Sequence, residues 1–120
     1  MPARIVVVHD EQEFIGEAVA ALQVAGHDVV GFTNSIVALN AFDSPEHVEL
    51  LITRIRFPAG QPHGLSLALV LKRKRRDLKI LFTAEPEYAE DAEGVGEFVP
   101  LSISGPELVP IVDRILRAER

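Results

Sequence analysis

The chain has no cysteine and no tryptophan, and only one methionine and one tyrosine. The lack of cysteine excludes disulfides, thiolate metal centres and cysteine nucleophiles together, and fits a reducing compartment. Long hydrophobic runs are lacking as well. The Met-Pro-Ala-Arg start leads into an apolar segment shorter than the ~7–15 residues of a signal-peptide core, and no run nears the ~20 residues that cross a bilayer. A cytoplasmic setting away from membranes is therefore expected. Positive charge is in deficit too: the net charge of −6 offers nucleic acid no general attraction, and nucleic acid is not an expected partner. No glycine-rich turn follows the first apolar segment, so a dinucleotide or nucleoside-triphosphate site has no support. No Ser/His/Asp set or carboxylate pair has a hydrolase arrangement, and the protein is not expected to be an enzyme. His9, His27, His47 and His63 are too scattered to specify a metal site and read as separate surface residues; no metal or cofactor is expected.

What is present suffices for a core. Hydrophobic residues make up 48% of the 120 positions and charged residues 25%, the balance of one globular domain. That domain is expected over residues 3–118, with no output domain in this chain. Five short apolar runs punctuate it: residues 4–8 (RIVVV), 28–32 (DVVGF), 50–54 (LLITR), 79–83 (KILFT) and 97–100 (EFVP). The first, third and fourth do not alternate, as strands buried on both faces read. Helical spacing fills the gaps. Phe14, Ile15, Ala18, Val19 and Leu22 form one stripe, stopped by Gly26; residues 36–42 and 64–75 follow, then a weak candidate over 88–94. Leu108, Ile111, Val112, Ile115 and Leu116 give the clearest stripe. Ser104 and Glu107 have capping-box spacing, Pro106 suits a first turn, and Pro110 is expected to bend or delay the last helix. Strand and helix alternate five times, which predicts an α/β fold: a three-layer, doubly wound (βα)5 domain with a five-stranded parallel sheet. In such sheets the functional crevice lies beyond the carboxyl ends of the strands, near His9, Asp10, Arg54, Thr83 and Leu101.

Those strand ends carry a family resemblance. Val7-Val8-His9-Asp10-Glu11 resembles the hydrophobic-then-acidic segment after the first strand of response-regulator receiver domains. Residues 51–58 (LITRIRFP) resemble their third-strand signature, with Pro58 four positions after Arg54. His63-Gly64-Leu65 is similar to the entry to the third helix, Thr83-Ala84 to the hydroxyl residue and small neighbour ending strand four, and Phe98 to the aromatic switch position. The resemblance runs along nearly the whole chain. It implies a CheY-like, flavodoxin-like fold and a place in two-component (phosphorelay) signal transduction. In that family carboxylates hold Mg²⁺ while a central aspartate accepts the phosphoryl group, whose oxygens are then held by the hydroxyl residue and a lysine. Here the acidic pocket is a remnant of His9, Asp10 and Glu11, with His9 in place of the first acid. Arg54 occupies the phosphoacceptor position, and Leu101-Ser102 stands where Lys-Pro is expected. Thr83 and Phe98 keep the switch-like positions.

Arginine has no nucleophilic oxygen, stays protonated and repels Mg²⁺. The chain therefore reads as an atypical, degenerate pseudo-receiver: a protein-interaction module that works without phosphorylation. Its expected partners are a histidine kinase, a phosphotransfer protein or an output protein, with a homodimer as a further case. The alternatives are a structural or dimerisation domain excised from a longer signalling protein, and a phosphate-accepting regulator that uses a non-standard residue. A cation in a half-dry crevice needs a counter-charge, and Asp10 is its expected partner with Glu11 second. The competing reading sends Arg54 into solvent. Residues 72–76 (KRKRR) read as a solvated helix end favoured by the macrodipole, with a patch for an acidic partner as the second reading. The acidic stretch 87–93 reads as a solvated connection.

Overall fold

In the computed structural model, residues 4–42, 47–57, 63–100 and 102–117 are described. Five strands form one sheet: β1 (Arg4–Val8), β2 (Asp28–Phe32), β3 (Leu50–Thr53), β4 (Lys79–Ala84) and β5 (Glu97–Pro100). Their order is β2-β1-β3-β4-β5, and every pairing is parallel. Val8 lies opposite Thr53 and Thr53 opposite Phe82, so β1 and β3 end level while β4 runs two residues further, to Ala84. The unalternating runs form these central strands. β3 is buried throughout, and β1 and β4 are buried after their first residue. The edge strands β2 and β5 are partly exposed.

Because side chains alternate across a strand, the sheet feeds two cores. Ile5, Val7, Leu50, Ile52 and Leu81 pack under α1 (Gln12–Val24) and α5 (Gly105–Arg117). Val6, Val8, Leu51, Ile80 and Phe82 pack on the opposite face, under α2 (Ser35–Ala41), α3 (Gly64–Lys74) and the single turn α4 (Ala89–Ala92). This is the expected three-layer, doubly wound α/β architecture with a five-stranded parallel sheet.

The helix ends follow local chemistry. Asn34 caps α2 by accepting from the amides of Ile36 and Val37 at 2.8 and 3.2 Å. Gly26 takes a φ of 99° just beyond α1, a conformation that disfavours side chains. Ser104 and Glu107 exchange the two bonds of a capping box, at 2.9 and 3.3 Å. Pro110 does not delay α5; the helix is already formed at Gly105 and runs through it. The segment near residues 88–94 holds less helix than expected, a 3-10 turn over Pro86–Tyr88 followed by α4, since its acidic residues offer no apolar stripe. Among the described residues no helix is long and apolar enough to cross a membrane.

Candidate functional site at the carboxyl ends of the central strands

The first residue after β1 is His9, after β3 it is Arg54, and after β4 it is Glu85. β1 and β3 end level and β4 projects two residues beyond them, so all three follow strand ends at the same edge of the sheet. The backbone beneath them is held by the sheet: His9 N–H donates to the Phe32 carbonyl and Arg54 N–H to the Val8 carbonyl, each at 3.1 Å. The Arg54 carbonyl accepts the Thr53 hydroxyl at 2.8 Å. It also lies directly against Gly64, where a Cβ would overlap its oxygen. A glycine at the start of α3 thus sets how closely that helix seats on the β3 end.

The Arg54 side chain turns inward and is 15% exposed. Its Nη1 donates to Asp10 Oδ1 at 2.5 Å, and its Nη2 donates to Glu85 Oε2 at 3.3 Å. Asp10 and Glu85 are 25% and 33% exposed, so the cluster is shielded without being dry. Burial works to lower the Arg54 pKa, but the hydrogen bonds and negative charges of Asp10 and Glu85 outweigh it and raise it. Glu85 is held below the usual carboxylate value, first by its own backbone N–H and then, against some desolvation, by Arg54 and the charge of Arg56. The expected Arg54–Asp10 pair is therefore present. The second carboxylate is Glu85, not Glu11, which lies exposed at the start of α1. Arg54, Asp10 and Glu85 line a cleft of about 280 Å³ with Arg56 and Phe57.

His9 is not a surface residue. It is 1% exposed and its ring stacks on Phe14 with centroids 4.4 Å apart. Its Nδ1 accepts the backbone N–H of Glu11 at 3.0 Å, which assigns the proton of the neutral ring to Nε2. Burial lowers its pKa, and Arg54 adds to that, against the opposing pull of Asp10, Glu11 and Glu85. The 3.5 Å approach of Nδ1 to Asp10 is then a contact of a neutral ring and not an ion pair. The buried side-chain atoms without a hydrogen-bond partner among the described residues are His9 Nε2, Arg54 Nε and Glu85 Oε1, all in this cluster.

The switch-like positions lie apart from it. Thr83 is buried, and its hydroxyl donates to the Pro100 carbonyl of the edge strand at 3.3 Å. Phe98 is half-buried on β5 and packs against the core under α2, α3 and α4. Leu101, the position of the missing lysine, and Pro58 lie outside the described residues. Of the remaining histidines, His47 and His63 are exposed as expected, His47 meeting Asp77 at 3.3 Å and His63 accepting the Leu65 amide at 3.4 Å at the start of α3, while His27 is half-buried and meets Asp113 at 3.0 Å. In the basic run, Arg75 donates to the Phe42 carbonyl at 2.9 Å and sits over the Phe42 ring, so one of its five charges is a packing element.

The resemblance to receiver domains implies Mg²⁺ at this place, and these residues do not fit it. A divalent cation takes several hard oxygen ligands. Here Asp10 is occupied by a guanidinium, the neighbouring acid position is a buried neutral imidazole, and Arg54 places a fixed positive charge where the ion would sit. Among the described residues no group of three His, Asp or Glu side chains is placed to hold a metal.

Comparison with known proteins agrees on the fold. The chain is similar to a response regulator receiver protein from Sinorhizobium medicae WSM419, with a TM-score of 0.86 and 20% identity over 99% of this chain and 98% of that one. It is similar to the chemotaxis response regulator CheY4 of Vibrio cholerae, at 0.82 and 17% over 96% and 99%. It also matches the response regulator TrrA of Thermotoga maritima, solved with Mg²⁺ and BeF, at 0.81 and 28% over 94% and 98%. No family model and no curated protein matches the sequence. The fold is thus the CheY-like, flavodoxin-like fold of response-regulator receiver domains.

Proposed function

We propose that the chain is a receiver-type module of two-component signal transduction that binds its protein partners without being phosphorylated. The observation that carries this reading is the Arg54 guanidinium between Asp10 and Glu85. It lines the cleft with a fixed cation that has no nucleophilic oxygen and repels a metal ion. TrrA was solved in complex with Mg²⁺ and BeF; a fixed guanidinium in this cleft disfavours a divalent cation. Thr83 is turned to Pro100 and away from the cleft, which supports its reading as a strand hydroxyl. In this reading the module is cytoplasmic and non-enzymatic, and a histidine kinase, phosphotransfer protein or output protein recognises its surface in one standing conformation.

Incubation with a small phosphodonor and Mg²⁺, followed by intact-mass measurement, tests the reading. The expected result is a single unmodified species. A stoichiometric phosphate adduct contradicts it and favours a regulator with a non-standard acceptor.

A further inference from the structure

Two neighbouring helices, α2 (SIVALNA) and α3 (GLSLALVLKRK), carry no acidic residue, in a chain that has 18. The other three helices all carry some: Glu13 and Glu17 on α1, Glu90 and Asp91 on α4, Glu107 and Asp113 on α5. The acid-free pair also holds Ile36, Val37, Leu69 and Val70, four of the five exposed large hydrophobic residues among those described. Apolar side chains left in water and edged by charge of one sign mark a contact surface. We propose that the outer face of α2 and α3 rests on an anionic lipid surface.

The fold gathers these residues into one patch. Both helices lead back from the carboxyl ends of parallel strands, so they point the same way. Arg75, at the end of α3, donates to the carbonyl of Phe42, at the end of α2, which sets the two helix ends beside each other. Ile36 and Val37 precede Phe42 by six and five residues, and Leu69 and Val70 precede Arg75 by the same six and five. At a rise of about 1.5 Å per residue, all four lie about 7–9 Å back from those ends, as one band across both helices. Residues 72–76 (KRKRR) border the band on one side. Exposed Arg73 continues the outer line of Leu69 and Val70, four and three residues on. On the far side of α3, α4 with its acids bounds the patch.

The fold uses only part of this positive charge. Arg75 packs on Phe42, and the α3 macrodipole offers about half a negative charge at its last turn. Lys72, Arg73 and Arg76 form no side-chain bond among the described residues, and Asp77, just after the run, meets His47. The side chains favour lipid over a protein as the occupant. The exposed apolar residues of the face are all aliphatic, whereas protein hot spots centre on Trp, Tyr and Arg seated in pockets. Cations on long stems around one helix end present charge without fixed geometry, which suits a plane of headgroups. That plane repels the acids of α1 and α5 across the sheet, and so fixes which side of the molecule faces it. The contact is peripheral, since no helix among the described residues can cross a membrane. It does not depend on what Arg54 does, so it and the phosphodonor result stand or fall separately.

Co-sedimentation with lipid vesicles, with a thermal melt of each variant, provides the test. Wild type is expected to bind vesicles of equal parts phosphatidylcholine and phosphatidylserine, to ignore phosphatidylcholine alone, and to be released by added salt. Arg73→Glu combined with Arg76→Glu should lower the partition coefficient roughly tenfold or more with an unchanged melt. Leu69→Gln combined with Val70→Gln should lower it by a smaller factor. Three results overturn the proposal: no binding to either vesicle, equal binding to both, or a charge-reversed variant that binds like wild type. Binding of soluble polyglutamate without binding of vesicles also overturns it, and assigns the face to an acidic protein.

Discussion

Arg54 is the residue on which the site depends. Replacing it with methionine keeps much of the stem and removes the charge, leaving Asp10 and Glu85 facing one another. The expected loss is about 1–3 kcal/mol, reduced from the cost of breaking a fully buried pair because both carboxylates keep contact with water. A urea midpoint at neutral pH measures it, and the gap between variant and wild type should narrow in acid as the depressed Glu85 carboxylate protonates. An unchanged midpoint would assign the guanidinium to solvent. His9 adds a pH dependence of definite sign. Its pKa in the fold lies below the ordinary 6.5, so below that value the unfolded chain binds the proton first. Stability is full above 6.5 and falls as the pH drops through this range. The depressed Glu85 adds a lower step, its contribution present above the ordinary 4.5 and lost as the pH falls through its folded value. His9→Asn keeps an acceptor for the Glu11 amide and removes the titration. Thermal melts across this range should decline more steeply for wild type than for His9→Asn; parallel curves would remove His9 from the account.

At this scale the sequence announces Arg54 and Asp10 plainly, because a cation at a strand end has few counter-charges within reach. It misplaces the second acid. Ending β4 at Thr83 hides the fact that Glu85, after one more strand residue, is the first residue past the strand and faces Arg54. His9 is misread for a different reason: a polar residue among acids looks exposed, and only the packing of Phe14 over its ring buries it.

Among the elements, the approach of α3 to β3 is the closest fit. Gly64→Ala puts a methyl group against the Arg54 carbonyl and the Ile55 Cα, backbone atoms that cannot rotate away. A loss of about 1–3 kcal/mol is expected, with the β3-end amides shifting most in an NMR spectrum. Gly16→Ala is the contrasting case. Nothing lies within 4 Å of the added carbon, and a helix interior favours alanine by about 0.5–1 kcal/mol, so the urea midpoint should rise. A fall would mean that Gly16 meets something in solution. The elements themselves are the most legible part of the chain. β1, β3 and β4 announce themselves as apolar runs without alternation, and the Ser104–Glu107 box and Gly26 mark helix ends through local bonds and backbone geometry. Pro110 is less transparent, since a proline five residues into a helix breaks a rule that packing of Leu108, Val112 and Ile115 overrides. α4 is short because the residues 89–92 (AEDA) have little to bury.

Across the whole molecule, two cores under one parallel sheet bring three strand ends to the same edge, and that shared edge is what lets residues distant in sequence act as one cluster. The same scaffold supports an acidic metal pocket or an arginine bridged by two carboxylates, since fold alone does not decide the chemistry of a site. The central claim is that Arg54 holds the place of both metal and phosphoryl group. The most direct test is a Mg²⁺ titration followed by two-dimensional NMR of the Arg54 Nε–H and the backbone amides of His9, Asp10 and Glu85. The account predicts no saturable shift at these positions, with the Arg54 Nε–H signal unchanged throughout. A saturable change confined to them, with Arg54 released from Asp10, would contradict it.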